Sequence, residues 1–313
     1  MFTAGFDLIG SFPKFRKSVE TAQNMAVTKT PVLITGEAGS GKKTLGFYIH
    51  KESARKNALC SVVDCSLGSQ AVERQVLGFR DDATGRFTKG ALEECNGGTV
   101  IFADIDLIDE SFQKRIYTIL QELPDYELDV RVIATTSKNL SKLVAAGKFS
   151  RTLLTYFSGA QINLVPLRER GTDVEDLAKH FVQNYAYTNG VENLTIAPEA
   201  LQKLVESNWS QNVSELKSFV NNAAKNATEG IIDLAAFNHS EKKSELISLE
   251  TDEEGFKLMS LRDAEKLLIR KALVYTSENR TQAAKILGVS IRTLRNKINE
   301  YRTEGSQYFV NLR

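Results

Sequence analysis

"LITGEAGSGKKT", residues 33–44, decides how this chain is read. It sets Gly36, Gly41 and Lys42 in the order G-x-x-x-x-G-K, after a short β-branched run and ahead of a segment with helical spacing. Such a stretch builds a phosphate loop. Glycines let main-chain amides turn inward onto phosphate oxygens, the helix amino terminus adds its dipole, and the lysine reaches the outer phosphates. The candidate nucleotide-binding residues are therefore Gly36, Glu37, Ala38, Gly39, Ser40, Gly41, Lys42, Lys43 and Thr44. One position departs from the pattern. A hydroxyl that can face magnesium should follow the lysine; here Lys43 stands there, and Thr44 comes one residue late.

Outward from the loop, apolar runs alternate with helix-like segments between Pro31 and Pro166. Strands are expected at 31–35, 61–64, 99–103, 129–135 and 160–165, and helices at 42–54 and 109–123. That alternation predicts an α/β fold, a parallel sheet covered on both faces. After Arg170 only helices are expected, at 174–188, 198–207 and 213–227, with Pro198 suited to a first turn. The strand inside "GGTVIFADID", 97–106, should deliver an acidic pair beside the loop. Metal-dependent phosphoryl transfer needs a carboxylate for magnesium and a polar group to orient water. Ala103 takes the first place and can do neither, which leaves Asp104 as the candidate catalytic acid of a degenerate strand.

The 313 residues suffice for two or three domains. Hydrophobic and charged fractions of 42% and 25% are ordinary for a globular chain. A net charge of +1 excludes polyanion binding by the chain as a whole, so any such role is local. Three cysteines and three histidines without ligand spacing predict reduced thiols and no metal centre built from them. No basic segment precedes an apolar run in "MFTAGFDLIG", and no run of ~18 apolar residues occurs, so neither signal peptide nor membrane span is expected. The expectation is a cytoplasmic protein.

Residues 239–260 are polar and acidic without a period, as in a tether. Residues 261–303 then carry ten basic against four acidic side chains. A helix at 281–287 should end at Gly288, and Ser290 should cap a second helix with Ile291, Leu294, Ile298 and Tyr301 inward. Ala284, Gly288 and Leu294 fit a helix-turn-helix, and Arg292, Arg295, Asn296 and Asn299 lie off the inward stripe. Ser290, Arg292, Thr293, Arg295, Asn296 and Lys297 are the candidate contacts to double-stranded DNA. A preceding helix, 261–276, should present Leu261, Ala264, Leu268, Ala272 and Tyr275 for internal packing or a dimer.

With these stretches in place, the chain resembles the NtrC-type bacterial enhancer-binding proteins, the sigma-54-dependent activators. The resemblance runs from "LIGSFPKF" (8–15) through the phosphate loop, "GGTVIF", "DVRVIATTSKNL" and "VPLRERGTDVEDLAKHF" to "NWSQNVSELK", and the tail is similar to the Fis type. It implies an AAA+ P-loop sheet over 1–168, a helical lid over 169–238, a linker over 239–260 and an all-α helix-turn-helix domain over 261–313. It also implies ATP or ADP bound between subunits of a homo-oligomer, either a ring or a dimer, with magnesium as companion. Ile9 would lie beside the nucleotide, Thr136 would be the sensor threonine, and RNA polymerase would be met through sigma-54. The frame begins near Leu8, so no receiver domain is expected ahead of it.

Departures from the family cluster. Where the family strand ends Asp-Glu, this chain has Ala103 and Asp104; where it restrains the glutamate with asparagine, Asp64 aligns. Ser150 and Tyr156 align with the arginines that act in trans, with Arg151 out of phase by one, and Ser214 aligns with the lid arginine. The sigma-54 contact loop "GAFTGA" survives as "GRFTKGA", which puts that contact in doubt. Residues that act as a unit are not lost independently. The leading expectation is a DNA-binding transcriptional regulator that binds nucleotide and hydrolyses it weakly or not at all. A working ATP-hydrolysing activator and a modulator of an intact activator ring remain as alternatives.

Overall fold

The computed structural model describes residues 8–80, 85–191, 193–227, 230–237 and 280–303, with five further positions between 265 and 273. The chain forms two compact units, Met1–Lys242 and Lys243–Arg313. The sheet region of the first runs α1 (Pro13–Ala26), β1 (Val32–Thr35), α2 (Lys42–Lys51), β2 (Cys60–Asp64), α3 (Ser69–Leu77), β3 (Gly78–Arg80) and β4 (Phe87–Lys89). It continues through α4 (Ala91–Glu94), β5 (Thr99–Ala103), α5 (Glu110–Glu122), β6 (Arg131–Thr136), α6 (Leu140–Ala145), α7 (Arg151–Tyr156) and β7 (Gln161–Asn163).

Five strands make one parallel sheet in the order β2-β5-β6-β1-β7. Successive side chains of each strand enter opposite layers, as the pleat requires. Val100 and Phe102 of β5 pack with Phe112 and Ile116 of α5 on one face. Ile101 joins Phe15, Ala22, Leu45 and Ile49 of α1 and α2 on the other. Burial on both faces explains why these strands read as unbroken apolar runs. In the register, Thr35 lies beside Thr136 and Asp64 beside Ala103, so the strand ends that matter open along one edge.

After Arg170 the chain folds as α8 (Gly171–Asn189), β8 (Thr195–Ile196), α9 (Pro198–Glu206), α10 (Asn212–Lys225) and β9 (Ile231–Ile232). The expectation of helices only is corrected: β8 and β9 form a parallel pair, too short to leave a period in the sequence. Leu177, Phe181, Leu204, Trp209, Leu216 and Phe237 fill this subdomain. It is fastened to the start of the chain by a buried pair, Arg170 and Asp173. Arg170 donates from Nε to Asp173 at 2.8 Å and from its terminal nitrogen to the Ile9 carbonyl at 2.8 Å. Asp173 also accepts from the amides of Ser11 at 2.7 Å and Phe12 at 3.0 Å.

The second unit contains α11 (Arg280–Leu287) and α12 (Ile291–Thr303) around Ile269, Leu273, Ala284, Leu294, Ile298 and Tyr301. Gly288 has φ +67° in the turn, and the Val289 amide returns to the Ala284 carbonyl at 3.0 Å, closing the first helix. Two stripe assignments are corrected. Ile291 is 38% exposed, because it begins its helix outside the core, and Leu268 is exposed while Ile269 and Leu273 turn inward. The tether at 239–260 lies outside the described residues, as does most of the helix expected at 261–276. Among the described residues, no helix is long and apolar enough to cross a membrane.

Candidate nucleotide site and DNA-reading helix

The loop after β1 turns through Gly36, Gly39 and Gly41, all at positive φ, and Gly41 at +99° leads into α2. Lys42 is buried, and its ammonium donates to the carbonyls of Gly36 and Glu37, both at 2.9 Å. Burial lowers its pKa, opposed by the charges of Asp104 and Asp106. Ser40 Oγ is buried without a hydrogen-bond partner. Beside the loop opens a cleft of about 440 Å³, walled by Gly41, Lys42, Lys43, Thr44, Asp104, Asp106 and Ser214.

The lid sits directly on the loop. Asn212, fully buried at φ +55°, donates from Nδ2 to Ala38 O at 2.9 Å and to Glu37 Oε2 at 3.2 Å, and its Oδ1 accepts from Leu167 N at 2.7 Å. Arg168 grips the Glu37 carboxylate with two bonds of 2.6 Å, and this partner, then Asn212, lowers the Glu37 pKa. Ser214 N donates to Gly39 O at 3.2 Å. A side chain on Gly39 would place its Cβ 1.9 Å from Gln211 O. None of Arg168, Asn212 or the Glu37 contact was read from the sequence, since the bonds to Glu37 span 131 and 175 positions. Ile9 is half-buried against the lid core and reaches Arg170 through its carbonyl.

At the edge of the sheet, Ala103 is 1% exposed. Asp104 follows in the left-handed region (φ 54°, ψ 56°), its amide donating to Thr135 Oγ1 at 3.1 Å. The Thr136 hydroxyl donates to the carboxylate of Asp106, which sequence reasoning missed although it lies two residues past Asp104, in the helical turn after β5. Asp64 accepts from Ser66 N at 3.0 Å and Ser66 Oγ at 2.7 Å, which holds it acidic, with a smaller contribution from Lys43.

The fold calls for magnesium here, and its donors do not fit. The strand-end carboxylate is replaced by the buried methyl of Ala103, the hydroxyl after Lys42 by the ammonium of Lys43, and Asp64 and Asp106 are engaged by hydroxyls. Magnesium needs near-octahedral oxygen ligands. Among the described residues, no three acidic, thiol or imidazole groups could hold a metal together.

The positions aligned with arginines are occupied structurally. Ser150 caps α7 and takes Gln113 Oε1 on its amide at 2.7 Å. Tyr156 packs edge-on against Tyr117 and Phe157, its hydroxyl pushed up to about 12 by burial. Arg151 is exposed on the first turn of α7. In the region that carries "GRFTKGA", β3 and β4 pair antiparallel with Phe79 40% and Phe87 59% exposed; residues 81–84 lie outside the described residues.

In the second unit, Ser290 Oγ accepts from the Thr293 amide at 3.0 Å and so caps α12. Arg292, Thr293, Arg295 and Asn296 are exposed along one side. Lys297 stands apart from them, half-buried and held by Glu265 at 2.9 Å, which also accepts from Tyr301 Oη at 2.8 Å.

A parallel P-loop sheet with a helical lid, followed by a helix-turn-helix, defines the AAA+ class of regulators. The Sigma-54 interaction domain matches residues 8–163, the AAA+ ATPase lid domain 168–252, and the Fis family of bacterial regulatory proteins 260–301. The transcriptional regulatory protein FlbD of Caulobacter vibrioides is 30% identical over 94% of this chain and 70% of its own length. The Nif-specific regulatory protein of Azospirillum brasilense is 35% identical over 72% of this chain and 38% of its own. NtrX from Brucella abortus in complex with ADP superposes with a TM-score of 0.67 at 21% identity, covering 95% of this chain and 69% of that one. The ATP complex of the same protein gives 0.65 at 22%, over 95% and 69%. The chain belongs to the sigma-54-dependent enhancer-binding family of transcriptional regulators.

Proposed function

We propose that this chain regulates transcription by binding promoter or enhancer DNA through α12, while its AAA+ domain binds ATP or ADP and hydrolyses it weakly or not at all. The observation that carries this reading is the end of β5, where Ala103 fills the place of the metal-holding acid. At the aligned arginine positions, the Ser150 side chain caps α7, Tyr156 joins an aromatic cluster, and Ser214 lines the cleft with a side chain that carries no charge. Nucleotide binding is supported by the loop geometry and by the ADP and ATP complexes of the similar NtrX. The domain then serves in homo-oligomer assembly and nucleotide sensing, and the shortened hairpin leaves sigma-54 without its usual contact. Ser290, Arg292, Thr293, Arg295 and Asn296 face phosphates and base edges, Arg292 and Arg295 being the strongest readers.

A working activator is the second reading, favoured by Arg151, exposed on α7, and by Asp104 and Asp106 in the cleft. Purified protein with promoter DNA and ATP separates the two. Phosphate release at the rate of an intact family member would refute the first reading, and its absence alongside measurable ATP binding would refute the second.

A further inference from the structure

We propose that the cleft takes its nucleoside di- or triphosphate without a divalent cation, the Lys43 ammonium standing where the metal would. The inference rests on the nucleotide-binding reading above. A P-loop metal site takes one oxygen from the hydroxyl following the loop lysine and reaches a second at the end of the neighbouring strand. This chain has changed both: Lys43 follows Lys42, and Ala103 ends β5. Both changes act in the same direction. Each removes an oxygen acceptor, and one of them also adds a cation that would repel magnesium.

The placement of Lys43 supports the exchange. It is the second residue of α2, exposed, and lines the cleft with Lys42, Thr44 and Asp104. Its charge is felt by Asp64, whose register partner across β2 and β5 is Ala103 itself. Lys43 thus lines the same cleft as Asp104, the residue that follows the end of β5. An ammonium offers three donors and no acceptor, the right chemistry for phosphate oxygens and the wrong one for a metal. The nearby acids do not restore a metal site. Asp64 is held by Ser66 and Asp106 by Thr136, and Asp104 shares the cleft with the ammoniums of Lys42 and Lys43, a single carboxylate facing two cations.

The test is calorimetric titration of ATP, and separately ADP, into the full-length chain in EDTA and in excess magnesium. The expected result is equal or tighter binding in EDTA. Lys43→Thr should weaken binding in EDTA by roughly ten-fold, the size of one charge-assisted hydrogen bond. Lys43→Thr combined with Ala103→Asp should bind better with magnesium than without. The wild-type comparison needs no variant, so misfolding of a variant, checked by circular dichroism, leaves a decisive measurement in place. Wild-type binding ten-fold tighter in magnesium overturns this inference and leaves nucleotide binding intact. No binding in either buffer overturns the nucleotide reading and this inference with it.

Discussion

Replacing Asp173 with alanine should loosen the whole entrance to the lid. The carboxylate is fully buried and accepts four bonds, from Ser11 N at 2.7 Å, Arg170 Nε at 2.8 Å, Phe12 N at 3.0 Å and Ser11 Oγ at 3.4 Å. Its loss strands a guanidinium that is 2% exposed and stacked 3.6 Å from the Phe15 ring centroid. Removing one partner of a buried pair costs about 3–5 kcal/mol, because the remaining charge stays desolvated. At about 2–4 °C per kcal/mol for a domain of this size, melting should fall by roughly 6–20 °C. Urea unfolding of the isolated variant measures the loss, and hydrogen exchange should show Ser11 and Phe12 amides deprotected. The double variant Arg170→Met/Asp173→Leu should lose less than Asp173→Ala, since no charge is then left buried. A loss below ~1 kcal/mol for Asp173→Ala would refute the assignment of this pair as the fastening.

Arg292→Ala and Arg295→Ala should each weaken DNA binding by about 1–3 kcal/mol if they read base edges, checked by anisotropy at fixed salt. Lys297→Ala should lower the melting of the carboxyl-terminal unit more than it weakens DNA binding, because its partner is Glu265; equal loss of binding for all three would contradict that division. Gly39→Ala should unseat the lid, since its Cβ would meet Gln211 O at 1.9 Å and its φ of +72° disfavours any side chain; unchanged exchange protection at the start of α10 would count against this. Asp109 caps α5 by accepting from Phe112 N at 2.8 Å, and the hydroxyls of Ser111 and Ser69, in that order, then Phe112 N, lower its pKa from 3.8 to about 2. A depressed folded value means stability present above 3.8 and lost as pH falls toward 2. Asp109→Ala should therefore cost about 1 kcal/mol at neutral pH and flatten the acid limb of the stability profile; an unchanged acid limb would contradict the cap.

What could be read from residues alone was whatever depends on neighbours in the chain. The phosphate loop is set by spacing, and β5 reads as buried because both its faces are covered. The Ser290 cap and Gly288 turn are likewise local. The Glu37, Arg168 and Asn212 cluster was invisible because it joins positions far apart in the chain without any period. Asp106 escaped notice because its role depends on the register that sets β6 beside β5, bringing Thr136 to it. Ile291 was misplaced because a helical stripe does not say where the core ends.

The central claim is that this domain holds nucleotide without turning it over. It is tested most directly by measuring released phosphate from ATP on the purified full-length chain with promoter DNA, beside an ATP titration of the same sample. The account predicts saturable binding with turnover at or near background. Binding accompanied by turnover comparable with an intact family member would contradict it.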